Sequence, residues 1–218
     1  MTDLKIDLYT EITCPWCIIG QHRLDKVLAE RFPEVVVDIE HHPVILLPDC
    51  PPEGVRVGDL LKARHGITDL ASLYARPEAE ARASGLVLDL SRQPISYPTV
   101  GGHTLIRLAR RLGTQHKLAM AFSSAHFHKA QNISDPDVLA DISVDYGFSR
   151  DNVKQLVIDA TERDETYREA TNSAAQGVRG VPHFVFGGRV VVSGGQSEAA
   201  LATAIQDALT ARAEATSA

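Results

Sequence analysis

Cys14-Pro15-Trp16-Cys17 is the segment that most limits what this chain can fold into. It joins a strand pattern, Leu4 to Tyr9, to a helical one, Gln21 to Phe32, in which Leu24, Val27, Leu28 and Phe32 recur at helical spacing. A cysteine at that junction stands at the positive end of a helix dipole, beside backbone N–H groups that lack an intrahelical acceptor. Such a place favours the thiolate, the nucleophilic form. Pro15 suits the first helical turn, where its missing N–H costs nothing. A second cysteine one turn on can attack a mixed disulfide formed on the first. The spacing therefore predicts dithiol–disulfide exchange, with Cys14 outer and lowered in pKa, and Cys17 more buried and higher.

Other readings of the motif are weaker. A C-x-x-C can be half a zinc site, but zinc needs four ligands. Cys50 stands alone in the Pro-rich loop Pro43 to Gly54, and reads as an ordinary thiol. His41 and His42 are strand neighbours and point to opposite faces. His126 and His128 do not share a helix face. Three cysteines are too few for a secreted disulfide framework. No metal or bound cofactor is expected.

A net charge of −6 argues against nucleic acid as a partner. No run of about 18 apolar residues predicts a membrane span. The start, Met1-Thr2-Asp3-Leu4-Lys5, lacks the basic and long apolar regions of a signal peptide, so a cytoplasmic protein is expected. Monomer and homodimer both remain open.

Val35 to His42 alternates as a second strand, which makes residues 4–42 a β-α-β unit. Helices are then predicted over 57–65, 70–84, 103–112, 115–129, 136–146, 150–161 and 164–176. His183–Phe186 and Arg189–Val192, split by Gly187-Gly188, read as a tight hairpin. Ser197–Ala211 closes the chain as an amphipathic helix, followed by a fraying tail from 213 to 218. The order β-α-β … β-β-α predicts an α/β thioredoxin fold with a large all-helical insertion. Residues 1–44 and 177–218 form the discontinuous thioredoxin-like domain. Residues 45–176 form the insertion, whose last helix returns to the core.

Four stretches bring a resemblance: CPWC-x-x-G (Cys14 to Gly20), P-D-x-P-P-E-G (Pro48 to Gly54), T-x-x-x-H-x-L-x-R-L-A (Thr99 to Ala109) and G-V-R-G-V-P-x-F-V-F-G-G-R (Gly177 to Arg189). With Val192 to Gln196, they resemble the DsbA-type thiol–disulfide oxidoreductases, and most closely their cytoplasmic FrnE-like branch. The resemblance implies that Cys14 attacks, Cys17 resolves and Pro182 is cis. It covers almost the whole chain. Ile18, Pro98 and His183 depart from the family pattern near the expected rim of the site, which puts substrate preference in question.

A cis turn would present the Val181 backbone to an extended substrate. The expected substrate contacts are Pro15, Trp16, Val181, Pro182, His183 and His103. Trp16 either stacks on substrate or covers Cys17. For His103, a structural or solvent-facing role competes with lining the cleft. Asp7 and Glu11 read as strand-edge or surface carboxylates; the alternative is a buried acid that takes the Cys17 proton. The expected partners are protein thiols and disulfides or small thiols such as glutathione. The alternative function is a glutathione-dependent isomerase or transferase related to the kappa-class transferases and 2-hydroxychromene-2-carboxylate isomerase. That group usually carries serine at the position of Cys14. A third reading keeps the scaffold for peptide capture alone.

Overall fold

The computed structural model describes residues 3–217. Strand β1 (Leu4–Thr10) leads through α1 (Pro15–Arg31) into β2 (Val37–Pro43). Strands β5 (His183–Phe186) and β6 (Val190–Ser193) come from the other end of the chain and complete a four-stranded sheet of order β2-β1-β5-β6. β1 pairs in parallel with β2 (Leu4 opposite Val37) and antiparallel with β5 (Leu8 opposite Phe184). Gly187 and Gly188 both have positive φ, +58° and +70°; with Phe186 opposite Val190 the loop holds three residues rather than the expected two, and the strand begins at Val190.

One sheet face is apolar. Leu4, Ile6, Leu8, Phe184 and Phe186 pack there against Leu24 and Val27 of α1 and against Leu201 and Ile205 of α9 (Glu198–Ser217). The opposite face is polar. Tyr9 donates at 3.0 Å to Oε1 of Gln176, the C-cap of α8 (Ala160–Ala175), and His42 lies 3.2 Å from Glu169 within that helix.

The intervening chain is helical: α2 (Val57–His65), α3 (Leu70–Ala83), α4 (Val100–Ala109), α5 (Gln115–Lys129), α6 (Pro136–Ser143), α7 (Arg150–Leu156) and α8. Two two-residue strands, β3 (Val55–Arg56) and β4 (Ile95–Ser96), pair antiparallel and were not expected. Ile12, Leu105, Leu118, Phe122, Ile133 and Leu139 lie in the largest core cluster of this region. Ile18 and Ile19 of α1 pack with Ala81, Leu88, Leu90 and Phe127 and seal the sheet layer to the insertion. Ile18 is only 2% exposed. Its departure from the family pattern therefore alters the core, not the rim.

Several predicted boundaries move. The helix expected at 103 starts at Val100, because Gly101 and Gly102 belong to its first turn. Gly102 is there for packing: a Cβ on it would lie 2.8 Å from Ile12 Cδ1. The helix expected over 150–161 breaks after Leu156, and Asp159 caps a new one by accepting from the Glu162 N–H at 2.9 Å. The closing helix runs on to Ser217; the last residue of the expected fraying tail, Ala218, lies outside the described residues.

Candidate active site

Cys14 is the N-cap of α1, with extended backbone and Pro15 at the first helical position. Its thiol is 9% exposed; Cys17, one turn on, is fully buried. Both are free thiols. The Cys17 side chain hydrogen-bonded to Cys14, together with the backbone N–H groups of Cys17 and Trp16, holds the Cys14 thiol below its ordinary value, against burial and the Glu11 charge. Burial, then the hydrogen bond and charge of Cys14, push the Cys17 thiol well above its own. The asymmetry expected from the motif is present.

Glu11 corrects the sequence reading. It is 1% exposed, not a surface carboxylate. Its N–H donates to Cys17 Sγ at 3.4 Å. Its carboxylate accepts from the Leu46 N–H at 3.0 Å and from Thr99 Oγ1 at 3.2 Å, and lies 3.4 Å from His103 Nε2. The acid thus sits beneath the dithiol and ties the end of β1 to the Pro-rich loop and to α4. A local signal existed: Glu11 falls in the turn between a strand and a helix N-terminus, where a carboxylate is electrostatically favoured. Asp7 alternates onto the polar sheet face, away from the cysteines, and bonds Lys5 and His42.

His103 is likewise buried. It is 2% exposed and bonded to Glu11, which is the structural role that competed with lining the cleft. The helix start that was to present it to the cleft lies three residues earlier, which turns it inward.

The Val181-Pro182 bond is cis. Pro182 packs on α1 at Gly20, where a Cβ would come within 2.8 Å of Pro182 Cγ. This explains the glycine six residues after Cys14. The Pro182 carbonyl accepts from the Gly194 N–H at 2.7 Å. His183 is half-buried, with Nδ1 at 2.6 Å from Ser193 Oγ and its ring edge-on to Tyr9. Pro15, Trp16 and Val181 are half-buried as well.

Trp16 is held from two sides. The backbone of Gly195 lies against its ring, so close that a Cβ there would reach 2.3 Å from Cε3. The Arg76 guanidinium of α3 stands 5.4 Å from the ring centroid on the other flank. Sequence reasoning assigned no role to Gly195, Arg76 or Arg23. Arg23 is 3% exposed and donates to Ser84 Oγ, to the Gly195 and Gln196 carbonyls, and to Glu80.

Away from the cysteines, Asp7, Glu40 and His42 place three ligand-capable atoms within 4.8 Å of one another. Lys5 Nζ bonds the two carboxylates at 3.0 and 2.8 Å, so a cation of the protein already sits there. His41 points the other way, as strand alternation required, and is 2% exposed. Its Nε2 lies 2.7 Å from His116 Nδ1.

The chain thus carries a buried dithiol at the start of α1 and a cis-proline loop packed on the same helix. The model of the DSBA-like thioredoxin domain matches residues 5–206. The chain belongs to the DSBA-like thioredoxin family. Among solved members of similar fold, a "probable DsbA oxidoreductase" from Streptomyces coelicolor is 27% identical, with a TM-score of 0.84 over 94% of this chain and 89% of that one. The cytosolic disulfide reductase DsbM from Pseudomonas aeruginosa shares the fold, with a TM-score of 0.65 at 15% identity over 98% of this chain and 100% of its own. The uncharacterized protein YwbO of Bacillus subtilis (strain 168) is 23% identical over 86% of this chain and 89% of its own. No helix of this DSBA-like protein is, among the described residues, long and apolar enough to cross a membrane.

Proposed function

We propose that this chain is a cytoplasmic thiol–disulfide oxidoreductase acting through Cys14 and Cys17 on protein or small-molecule thiols, glutathione among them. One observation carries the reading. Cys14 caps α1 with a lowered pKa, directly over a buried Cys17 whose pKa is raised.

In the reducing direction, Cys14 thiolate attacks one sulfur of a substrate disulfide. A Cys14–substrate disulfide forms, and the other substrate sulfur leaves as thiolate and takes a proton from water. Cys17 then gives its proton to Glu11 and attacks Cys14 Sγ. The substrate's second thiolate departs, and the Cys14–Cys17 disulfide remains. The substrate gains two electrons and the protein loses two; the oxidising direction is the reverse. The exposed faces of Pro15, Trp16 and His183 contact the substrate, and the Val181 backbone pairs with an extended one. Residues 1–44 and 177–218 hold the redox centre, while 45–176 form the wall opposite it.

The test is the Cys14–Cys17 reduction potential, measured in glutathione buffers through the fluorescence of Trp16. A reversible two-electron transition supports the reading. Its value sets direction, near −270 mV for a thioredoxin-like reductant and near −120 mV for an oxidant. No transition would overturn it, and would favour a glutathione-dependent isomerase or transferase.

A further inference from the structure

A cavity of about 380 Å³ opens beside the dithiol, between the start of α1 and helices α2, α3 and α5. Thr13, Pro15 and Trp16, the residues on either side of Cys14 in the chain, are among its lining. Its volume suits a small organic body. The wall is apolar and aromatic: Trp16, Leu61, Leu73, Tyr74 and Phe127. Its charged chemistry is one-sided. Arg76 is the cation, and no aspartate or glutamate lines it. Arg76 forms no salt bridge among the described residues and rests on the Trp16 ring. In the wall, His126 is 3% exposed, and its Nδ1 has no hydrogen-bond partner. Burial pushes its imidazole down to about 4, so it stays neutral at pH 7.

We propose that this cavity recognises the group carried by the partner sulfur, and that it takes a planar apolar body bearing one anionic group. That ligand is an aryl thiol acid or its disulfide, bound in preference to glutathione; the proposal rests on the exchange reading of Cys14 and Cys17. The aryl ring lies against Trp16 and Tyr74, its anion meets Arg76, and its sulfur stays at Cys14. Glutathione fits worse. It brings two carboxylates and an ammonium to a wall that offers one cation and no anion, so its ammonium would be desolvated without a partner.

The experiment uses the reduced, full-length protein. Its exchange rates with the disulfide of 4-mercaptophenylacetate and with oxidised glutathione are each divided by the rate of free dithiothreitol with the same disulfide. The expected corrected preference for the aryl disulfide is at least tenfold. Leu73→Glu and Arg76→Glu should each cut that preference at least fivefold; both side chains are exposed enough for the fold to tolerate the change. No preference, or one untouched by both substitutions, overturns the proposal. If neither disulfide reacts, the exchange reading fails separately, and the cavity is judged by binding of the sulfur-free 4-methylphenylacetate. Trp16 is the chain's one tryptophan and reports it. A saturable fluorescence change lost in Arg76→Glu keeps the site, and no saturable change overturns it.

Discussion

At the residue scale, the two cysteines differ through position alone. Cys14 has helix N–H groups and the Cys17 thiol to stabilise its charge; Cys17 has burial and a neighbouring thiolate against it. Iodoacetamide should therefore label Cys14 with a pH midpoint below that of a free thiol, while Cys17 stays unlabelled up to pH 9. Mass spectrometry of the labelled peptide checks this, and equal labelling of both would contradict the asymmetry. Glu11 acts on both thiols by raising their pKa. Replacing its charge in Glu11→Gln should move the Cys14 midpoint lower still. If Glu11 is also the acceptor of the Cys17 proton, resolution of a preformed Cys14 mixed disulfide should slow by about 10²-fold. A lowered midpoint with unchanged resolution would leave Glu11 an electrostatic role only.

At the scale of elements, α1 does more than present the motif. Its Gly20 lets the Pro182 loop lie on the helix, and its Arg23 pins α3 and the Gly194–Gln196 loop to it. Gly20→Ala forces a methyl within 2.8 Å of Pro182 and 3.1 Å of Phe184, neither of which is a flexible chain end. Overpacking of this kind costs about 1–3 kcal/mol, and moving the loop should also lower exchange activity. Arg23→Leu strips partners from Ser84, Glu80 and two loop carbonyls at a buried site, a loss of about 3 kcal/mol. Urea unfolding measures both. A Gly20→Ala variant as stable and active as the parent would refute the close approach.

At the scale of the whole molecule, buried histidines set the response to acid. Burial, then His116, His103 and His42, hold His41 well below its ordinary value. His126 is pushed down to about 4. Both titrate near 6.5 in the unfolded chain, so between there and their folded values the unfolded state binds more protons, and stability falls as pH falls. His42 works the other way. Burial lowers it, but the hydrogen bonds and charges of Glu169 and Asp7 prevail and raise it, so its contribution is present below about 6.5 and fades as pH rises. Two buried lowered groups outweigh one half-buried raised group. The Tm should drop steadily from pH 7 to pH 5, and a flat or rising Tm would count against these assignments.

Much of this was legible one element at a time. The helices at 57–65 and 115–129 emerge with their predicted ends, and the hairpin turns at its two glycines, with one more loop residue than expected. Cys14 at a helix start needs only the junction of strand and helix periodicity, which spans a few neighbouring residues. The break at 157–159 was missed because one capping bond from Asp159 outweighs a continuous helical pattern. The two-residue strands β3 and β4 are too short to carry a period. What the sequence by itself determined is therefore local: where cysteines meet a helix dipole, and which segments alternate. Only the tertiary structure decided that Glu11 and His103 are buried under the dithiol and that an apolar cavity stands beside it. Glu11 is held by residues 35, 88 and 92 positions away, and no local periodicity records contacts at that separation.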